Sequence, residues 1–292
     1  MKVAIECYIC LLERAIRIAE ILTNDKEKVL EVAKEVSRML VEKFNFNAVP
    51  AYLGTVREKI VSKVLGIDDP YHHIKSESNR LAERVAEKIF SKIDLSDLSY
   101  ENFHKIIVLA AAANAMEWFI RGHDFTLDVF ANTLAEAYNN IAIDDSRKLY
   151  DTIKKSKTLL YVLDNAGEAI IDRYVVSYLK NFVDKLYVGA RSSPILNDIT
   201  VDEARKVGFD DVCDGIIPVG DFVGVILDFV TPQFKRVLAE ADMVILKGMG
   251  AFESITEYRL EKPTFILLKA KCITVARSLG VKQGELVIKK LF

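Results

Sequence analysis

Apolar residues recur at every third or fourth position through the first half of this 292-residue chain, then gather into short unbroken runs in the second half. The first spacing lines up apolar side chains along one face of an α-helix, and the second is that of strands buried on both faces of a sheet. Helical spacing predicts helices over 7–22, 26–43, 51–65 (after Pro50), 74–93, 100–121, 126–141 and 146–155. Asp68-Asp69-Pro70 marks a clean break and restart among them. The stretch 106–115 is apolar all round, which predicts a helix buried at the centre of the protein. Beyond it, runs at 159–163, 185–188, 215–219, 243–246 and 264–268 alternate with helical patterns, and 286–288 adds a candidate edge strand. Such alternation predicts βαβ units and a parallel sheet. The chain thus reads as an all-helical region, 1–155, and an α/β region, 156–292, divided in the charged segment Lys154-Lys155-Ser156-Lys157.

With 51% hydrophobic residues the chain can bury a substantial core, as one large or two modest domains. No apolar run approaches the roughly 20 residues that span a bilayer. The N-terminus lacks the basic segment and apolar core of a signal peptide, so a cytoplasmic protein with no membrane partner is expected. Acidic and basic residues are interspersed and sum to −2, which gives no sign of a nucleic-acid footprint. Gln occurs only at 233 and 283 while Lys and Glu abound, a bias of heat-adapted proteins. Cysteines at 7, 10, 213 and 272 are too few and too unevenly spaced for a disulfide framework.

Chemistry gathers where strands end. Asp164-Asn165-Ala166-Gly167-Glu168 follows the run at 159–163, and Arg191-Ser192-Ser193-Pro194-Ile195-Leu196-Asn197-Asp198 follows the run at 185–188. Lys247-Gly248-Met249-Gly250-Ala251-Phe252-Glu253 follows 243–246, and a weaker cluster, Lys269-Ala270-Lys271-Cys272, comes last. In a parallel sheet these clusters converge on one rim, the edge where such sheets bind ligands. Asp164, Asn165 and Asp198 supply hard oxygen ligands for a divalent cation. Lys247, Arg191 and the backbone N–H groups at Gly167 and Gly248 suit a phosphate. Acids and cations on one rim are the equipment of metal-assisted phosphoryl chemistry. Each piece also has a bland reading. Asp164 can cap the helix that follows it, Asn197-Asp198 can belong to a cap in which Thr200 and Glu203 form a capping box, and Lys247 can be a solvated strand end.

Other chemistries lack their motifs. The first turn is not G-x-G-x-x-G, no G-x-x-x-x-G-K-[ST] is present, and no G-x-S-x-G elbow occurs. The four histidines, at 72, 73, 104 and 123, fall in the helical half and read as surface residues.

The ordered set D-N-x-G-E, P-x-x-N-D-x-T, K-G-M-x-x-x-E and K-C resembles the metal-dependent damage-control phosphatases. The opening Cys7-Tyr8-Ile9-Cys10-Leu11-Leu12-Glu13-Arg14-Ala15 resembles the branch of that family marked by a CxxC pair. The similarity spans nearly the whole chain. It implies an all-helical N-terminal region packed on a three-layer α/β/α sandwich with a mainly parallel sheet. It also implies hydrolysis of phosphomonoesters such as sugar phosphates or damaged phosphometabolites with a divalent cation (Mn, Co, Ni or Mg). Carried over residue by residue, Asp164, Asn165 and Asp198 would hold the metal, and Lys247 with Gly248 the phosphate. Asn114 and Glu117, on the buried helix, fall where relatives place an Asn and an acid facing the pocket. Ala251 stands where many relatives carry an Asn, and Glu117 where an Asp is common, which bears on substrate identity more than on reaction type.

The expected mechanism is attack by metal-activated water, with Asp164, Glu168, Asp198 and Lys247 catalytic and Glu168 positioning the water. Asn114, Glu117, Gly167, Arg191, Asn197, Lys247 and Gly248 are the expected substrate contacts. Asp164 as a nucleophile is the lesser reading, because Ala166 stands where nucleophilic-aspartate phosphatases place a second Asp. Two alternatives stay open: an adenosylmethionine-dependent carboxyl methyltransferase, disfavoured by the missing glycine-rich turn, and a non-catalytic binder of phosphorylated metabolites. Cys7 and Cys10 admit three readings: half a zinc site, a redox motif, or a structural pair on the buried side of the first helix.

Overall fold

The computed structural model describes residues 1–115, 134 and 136–292. Glu117, His123 and most of the helix expected at 126–141 lie outside the described residues. The first three helices are α1 (Ile5–Leu22), α2 (Lys26–Lys43) and α3 (Pro50–Leu65). Asp25 caps α2 by accepting the N–H groups of Glu27 and Lys28, and Pro50 supplies a pre-set φ at the start of α3. Their apolar faces close around Val32, Val36, Leu40, Leu53 and Val61, all withdrawn from solvent. The next helices are α4 (His72–Phe90), α5 (Tyr100–Ala113) and α6 (Ser146–Ile153). Residues 106–113 are buried throughout, as the apolar pattern predicts.

Seven strands follow: β1 (Ile141–Asp144), β2 (Thr158–Val162), β3 (Lys185–Ala190), β4 (Gly215–Pro218), β5 (Met243–Lys247), β6 (Thr264–Lys269) and β7 (Leu286–Lys290). They form one sheet in the order β1-β7-β6-β5-β2-β3-β4. The five strands from β6 to β4 run parallel; β7 is antiparallel to β6, and β1 runs parallel to β7. Two expectations are corrected here. Residues 286–288 belong to a strand inside the sheet rather than at its edge, because β1 pairs along its outer side. Ile141, expected to end a helix, instead begins that strand, in which Ile141 and Ile143 are half-buried against opposite faces of the sheet across a shift in the register.

Side chains alternate across the sheet, so each strand feeds two cores. Leu159, Tyr161, Val188, Ile245 and Phe265 pack against α4, α5, α6, α7 (Glu168–Leu179) and α8 (Val201–Lys206). Leu160, Val162, Val244, Leu246 and Ile266 pack against α9 (Pro232–Glu240), α10 (Gly248–Ile255) and α11 (Ile273–Leu279). The result is a three-layer α/β/α sandwich with a mainly parallel sheet. Full burial of each such side chain contributes roughly 1.5–3 kcal/mol. Chain order reverses at β2: β3 and β4 lie on one side of it, β5 and β6 on the other. The carboxyl ends of β2 and β5 therefore border the crevice where parallel sheets bind ligands. No described helix is long and apolar enough to cross a membrane.

Candidate active site

The turn after β2 and the loop after β3 are stitched together on one side of that crevice. Ile199 donates its N–H to the Asp164 carbonyl at 2.9 Å, and Ala166 donates to the Asn197 carbonyl at 2.8 Å. Asn165 and Asp198 face each other in an isolated antiparallel bridge. Leu196 takes a left-handed φ of 50°, which turns the chain so that Asn197 and Asp198 come back to the rim. Asp164, Asn165, Asn197 and Asp198 consequently share one wall of a cavity of about 330 Å³. The facing walls come from α1 (Cys7, Cys10, Arg14), α3 (Ala51, Arg57), the start of α10 (Met249, Glu253) and the loop before α11 (Lys271, Cys272).

Behind the rim lies a fully buried ionic network. The Lys247 ammonium donates to Asp172 Oδ1 at 2.7 Å and to the Ala110 carbonyl at 2.8 Å, and it lies 2.8 Å from Glu168 Oε1. Tyr161 donates its hydroxyl to the same Asp172 oxygen at 2.7 Å. On its other oxygen, Glu168 accepts the side-chain amides of Asn114 and Asn165, each at 2.8 Å. Both amides also donate to Asp164 Oδ2, at 3.0 and 2.8 Å. The Asn165 N–H groups are thereby engaged on carboxylates, so the amide oxygen is the atom that remains for a cation. Asn114 ties the network to the last cluster: its Oδ1 accepts the Lys269 N–H at 3.1 Å, and its carbonyl accepts from Lys271 Nζ at 3.0 Å.

Charge follows from this burial. Burial, then the carboxylates of Asp198 and Glu168, push the Asp164 carboxyl well above its ordinary range, against Lys271 and Arg191. Burial also raises Asp198, opposed by the Arg191 guanidinium, whose Nε lies 2.7 Å from Asp198 Oδ2. For Glu168 burial acts upward most strongly, but the Lys247 ammonium, Lys271 and the Asn165 amide together outweigh it and hold the group low. Burial likewise pushes Asp172 up to about 6 despite Lys247. Burial works against the Lys247 charge, and the Asp172 and Glu168 carboxylates overcome it, so that the ammonium is held above its usual value.

A divalent cation fits this donor set. Two buried carboxylates and an amide whose N–H groups are already engaged meet at the cavity wall, and the Asp198 and Glu168 carboxylates crowd Asp164, a repulsion that a bound cation would relieve. Gly248, at φ 80°, packs so closely on Asp164 that a Cβ there would lie 1.8 Å from Oδ2. Asp69, His72 and Glu203 form another potential ligand group. There the buried Lys75 ammonium already sits 2.7 Å from a carboxylate oxygen of each acid, so its charge is met without a metal.

The predicted site residues divide accordingly. Asp164, Asn165, Asn197 and Asp198 meet at the cavity. Lys247, expected to touch phosphate, is instead wholly buried and paired with Glu168 and Asp172; Glu168, expected to position water, faces that pair and two amides. Arg191 is engaged by Asp198 and the Gly224 carbonyl, with Nη2 buried and unpartnered. The Gly167 N–H is held by Asn79 Oδ1, and Gly248 braces Asp164 rather than lining the cavity. Asn114 is buried behind the rim. The cation on the cavity wall near Asp164 is Lys271, from the cluster that looked weakest. Arg14 and Arg57 also line the cavity, and neither stands in a strand-end cluster, so the sequence offers little signal for their place there. Asp172 did leave one: it stands four residues after Glu168 on an otherwise apolar helix face. Cys7 is half-buried and Cys10 exposed; both line the cavity, and Cys7 also packs against the core of α1–α3.

The damage-control phosphatase ARMT1-like domain matches residues 3–287 of the chain. A damage-control phosphatase of Pyrococcus horikoshii is 31% identical over 288 residues, covering 98% of this chain and 97% of its own. Another, of Archaeoglobus fulgidus, is 29% identical over 291 residues, 99% of each chain. The crystal structure of a DUF89 family protein from P. horikoshii superposes with a TM-score of 0.89 at 30% identity, covering 99% of both chains. Matched from end to end in sequence and in architecture, the chain belongs to the damage-control phosphatase ARMT1-like family.

Proposed function

We propose that this protein is a metal-dependent phosphatase that hydrolyses small phosphomonoesters, with sugar phosphates and damaged phosphometabolites as the substrate class. The observation that carries the reading is the convergence of Asp164, Asn165 and Asp198 on one wall of a cavity whose other walls bring Lys271 and two arginines. Asp164, Asn165 and Asp198 would hold one divalent cation, Mn, Co, Ni or Mg. Bound there, it supplies Lewis-acid polarisation of a phosphoryl oxygen and a lowered pKa for the attacking water.

The protein's own groups do the rest. Lys271 offsets phosphate charge next to Asp164, and Asn197 lines the same wall. Glu168 holds the Asn165 amide so that its oxygen is left for the metal, and Lys247 keeps Glu168 charged while Asp172 keeps Lys247 charged. Arg191 steadies Asp198. Asp164 Oδ2 accepts two amide N–H groups and lies against Gly248, which suits a fixed ligand better than a nucleophile that must advance on phosphorus. A cavity of about 330 Å³ suits a compact polyol or metabolite better than a polymer.

Phosphate release from an aryl phosphate and from a panel of sugar phosphates, by protein first stripped with chelator, provides the test. Added Mn or Co should restore turnover, and Asp164→Ala should lower it by about 100-fold or more. Metal and phosphate binding without turnover would convert the protein into a binder. Turnover indifferent to metal and to Asp164→Ala would end the proposal.

A further inference from the structure

Cys7 and Cys10 have no part in the chemistry above, yet both lie on the cavity wall, one turn apart on α1. Both are free thiols; Cys10 is exposed and Cys7 half-buried. Cys7 Sγ donates to Thr274 Oγ1 at 3.7 Å, and its neighbour Glu6 pairs with Arg277. These two contacts clip the first turn of α1 to the segment that starts with Lys271 and runs into α11. We propose that Cys7 and Cys10 form a thiol–disulfide site, oxidised by low-molecular-weight disulfides, that releases this clip and opens the cavity wall.

The geometry sets what oxidation must do. Residues i and i+3 of a helix hold their Cβ atoms roughly 5–6 Å apart, whereas a disulfide needs about 3.5–4.5 Å. Ring closure therefore requires the first turn of α1 to unwind. That turn is poorly secured from within, because its N-cap is Ala4, which offers no side-chain acceptor to the free N–H groups. Its security comes from outside, through Thr274 and Arg277. Drawing Cys7 toward Cys10 removes the Thr274 contact and pulls Glu6 away from Arg277.

The exchange balances without any group beyond the named oxidant. Cys10, the accessible thiol, attacks one sulfur of the incoming disulfide as its thiolate, and the other sulfur leaves as a thiol. Cys7 then gives up its proton and attacks the Cys10 sulfur of the mixed disulfide, expelling the second small thiol. Two protein thiols are oxidised by two electrons, and one small disulfide is reduced to two thiols. Cys272 lies on the same wall, and burial raises both its thiol and that of Cys7; Cys7, one turn from Cys10 on the same helix, is the second nucleophile that α1 itself presents.

The chemistry does not depend on the phosphatase reading; only its effect on turnover does. The test incubates the full-length protein with oxidised glutathione and follows intact mass, peptide maps and amide hydrogen exchange. The expected product is lighter by two hydrogen atoms and carries a Cys7–Cys10 bridge that dithiothreitol reverses. Cys7→Ser should instead accumulate a glutathione adduct on Cys10, while Cys10→Ser takes up little. Exchange over 5–10 and 271–277 should quicken about tenfold or more in the bridged protein, as expected for local opening of a secured turn. Absence of the bridge, a bridge from Cys10 to Cys272, or unchanged exchange in both segments would each overturn the proposal. A bridged protein with quickened exchange whose reduced, metal-loaded form has no phosphatase activity would leave this inference standing and remove the other.

Discussion

Glu253 shows how far a single side chain is governed by its surroundings. Burial pushes its carboxyl up to about 7, against the pull of the N-terminal ammonium, Arg14 and Arg57. An acid with a raised pKa binds protons that the unfolded chain has already released, so it opposes folding increasingly as pH climbs from the ordinary carboxyl value of 4.5 to about 7. Glu253→Gln should match the parent in urea at pH 4 and exceed it at pH 8, by at most about 3 kcal/mol. Equal stability at pH 8 would contradict this. Asp164, Asn165 and Asp198 were legible from sequence because two acids and an amide at adjacent strand ends have few other shared purposes. The duty of Lys247 was not. A lysine after a strand reads as a solvent-facing cation, and only the i, i+4 pair Glu168 and Asp172, brought over it by α7, makes it an internal one. Arg57 was hidden for a related reason: its partner Glu58 is the next residue, and the two look like ordinary surface charge until α3 is buried.

Whole elements repeat the lesson at larger size. The capping box at the start of α8 is readable in Thr200 and Glu203, and the structure contains both of its reciprocal hydrogen bonds. This cap follows Asp198 by two residues, so it anchors the loop that carries a proposed metal ligand. Thr200→Ala should cost about 1 kcal/mol in a urea titration and should also weaken Mn binding several-fold by calorimetry. A stability loss with Mn affinity intact would show that the loop holds its shape without the cap. The parallel strands β2, β3, β5 and β6 were found almost to the residue, since doubly buried strands are continuous apolar runs. β1 escaped because four residues give too short a period to tell from a helix end, and because its pairing partner lies at the other end of the chain.

At the scale of the molecule, the change of period near residue 155 is no structural boundary: β1 already lies before it, and the packing crosses it. One core runs from Ala82 on α4 through α5 to Ile288 on β7. Periodicity tells which face of an element is apolar and is silent about which faces meet, so closure of α1 and α3 over the sheet edge could not be read in advance. The shared core predicts one cooperative urea transition, with helix circular dichroism and amide exchange in β2 and β5 giving the same midpoint. Two separated transitions would mean that the helical part stands alone. The lone pairing of β1 with β7 also has a consequence in the cell. As the chain leaves the ribosome, β1 has no strand to pair with until residues 286–290 emerge, and Lys271 appears only shortly before them. A nascent chain that has not yet reached β7 can thus hold every ligand of the proposed metal centre and still lack a finished site.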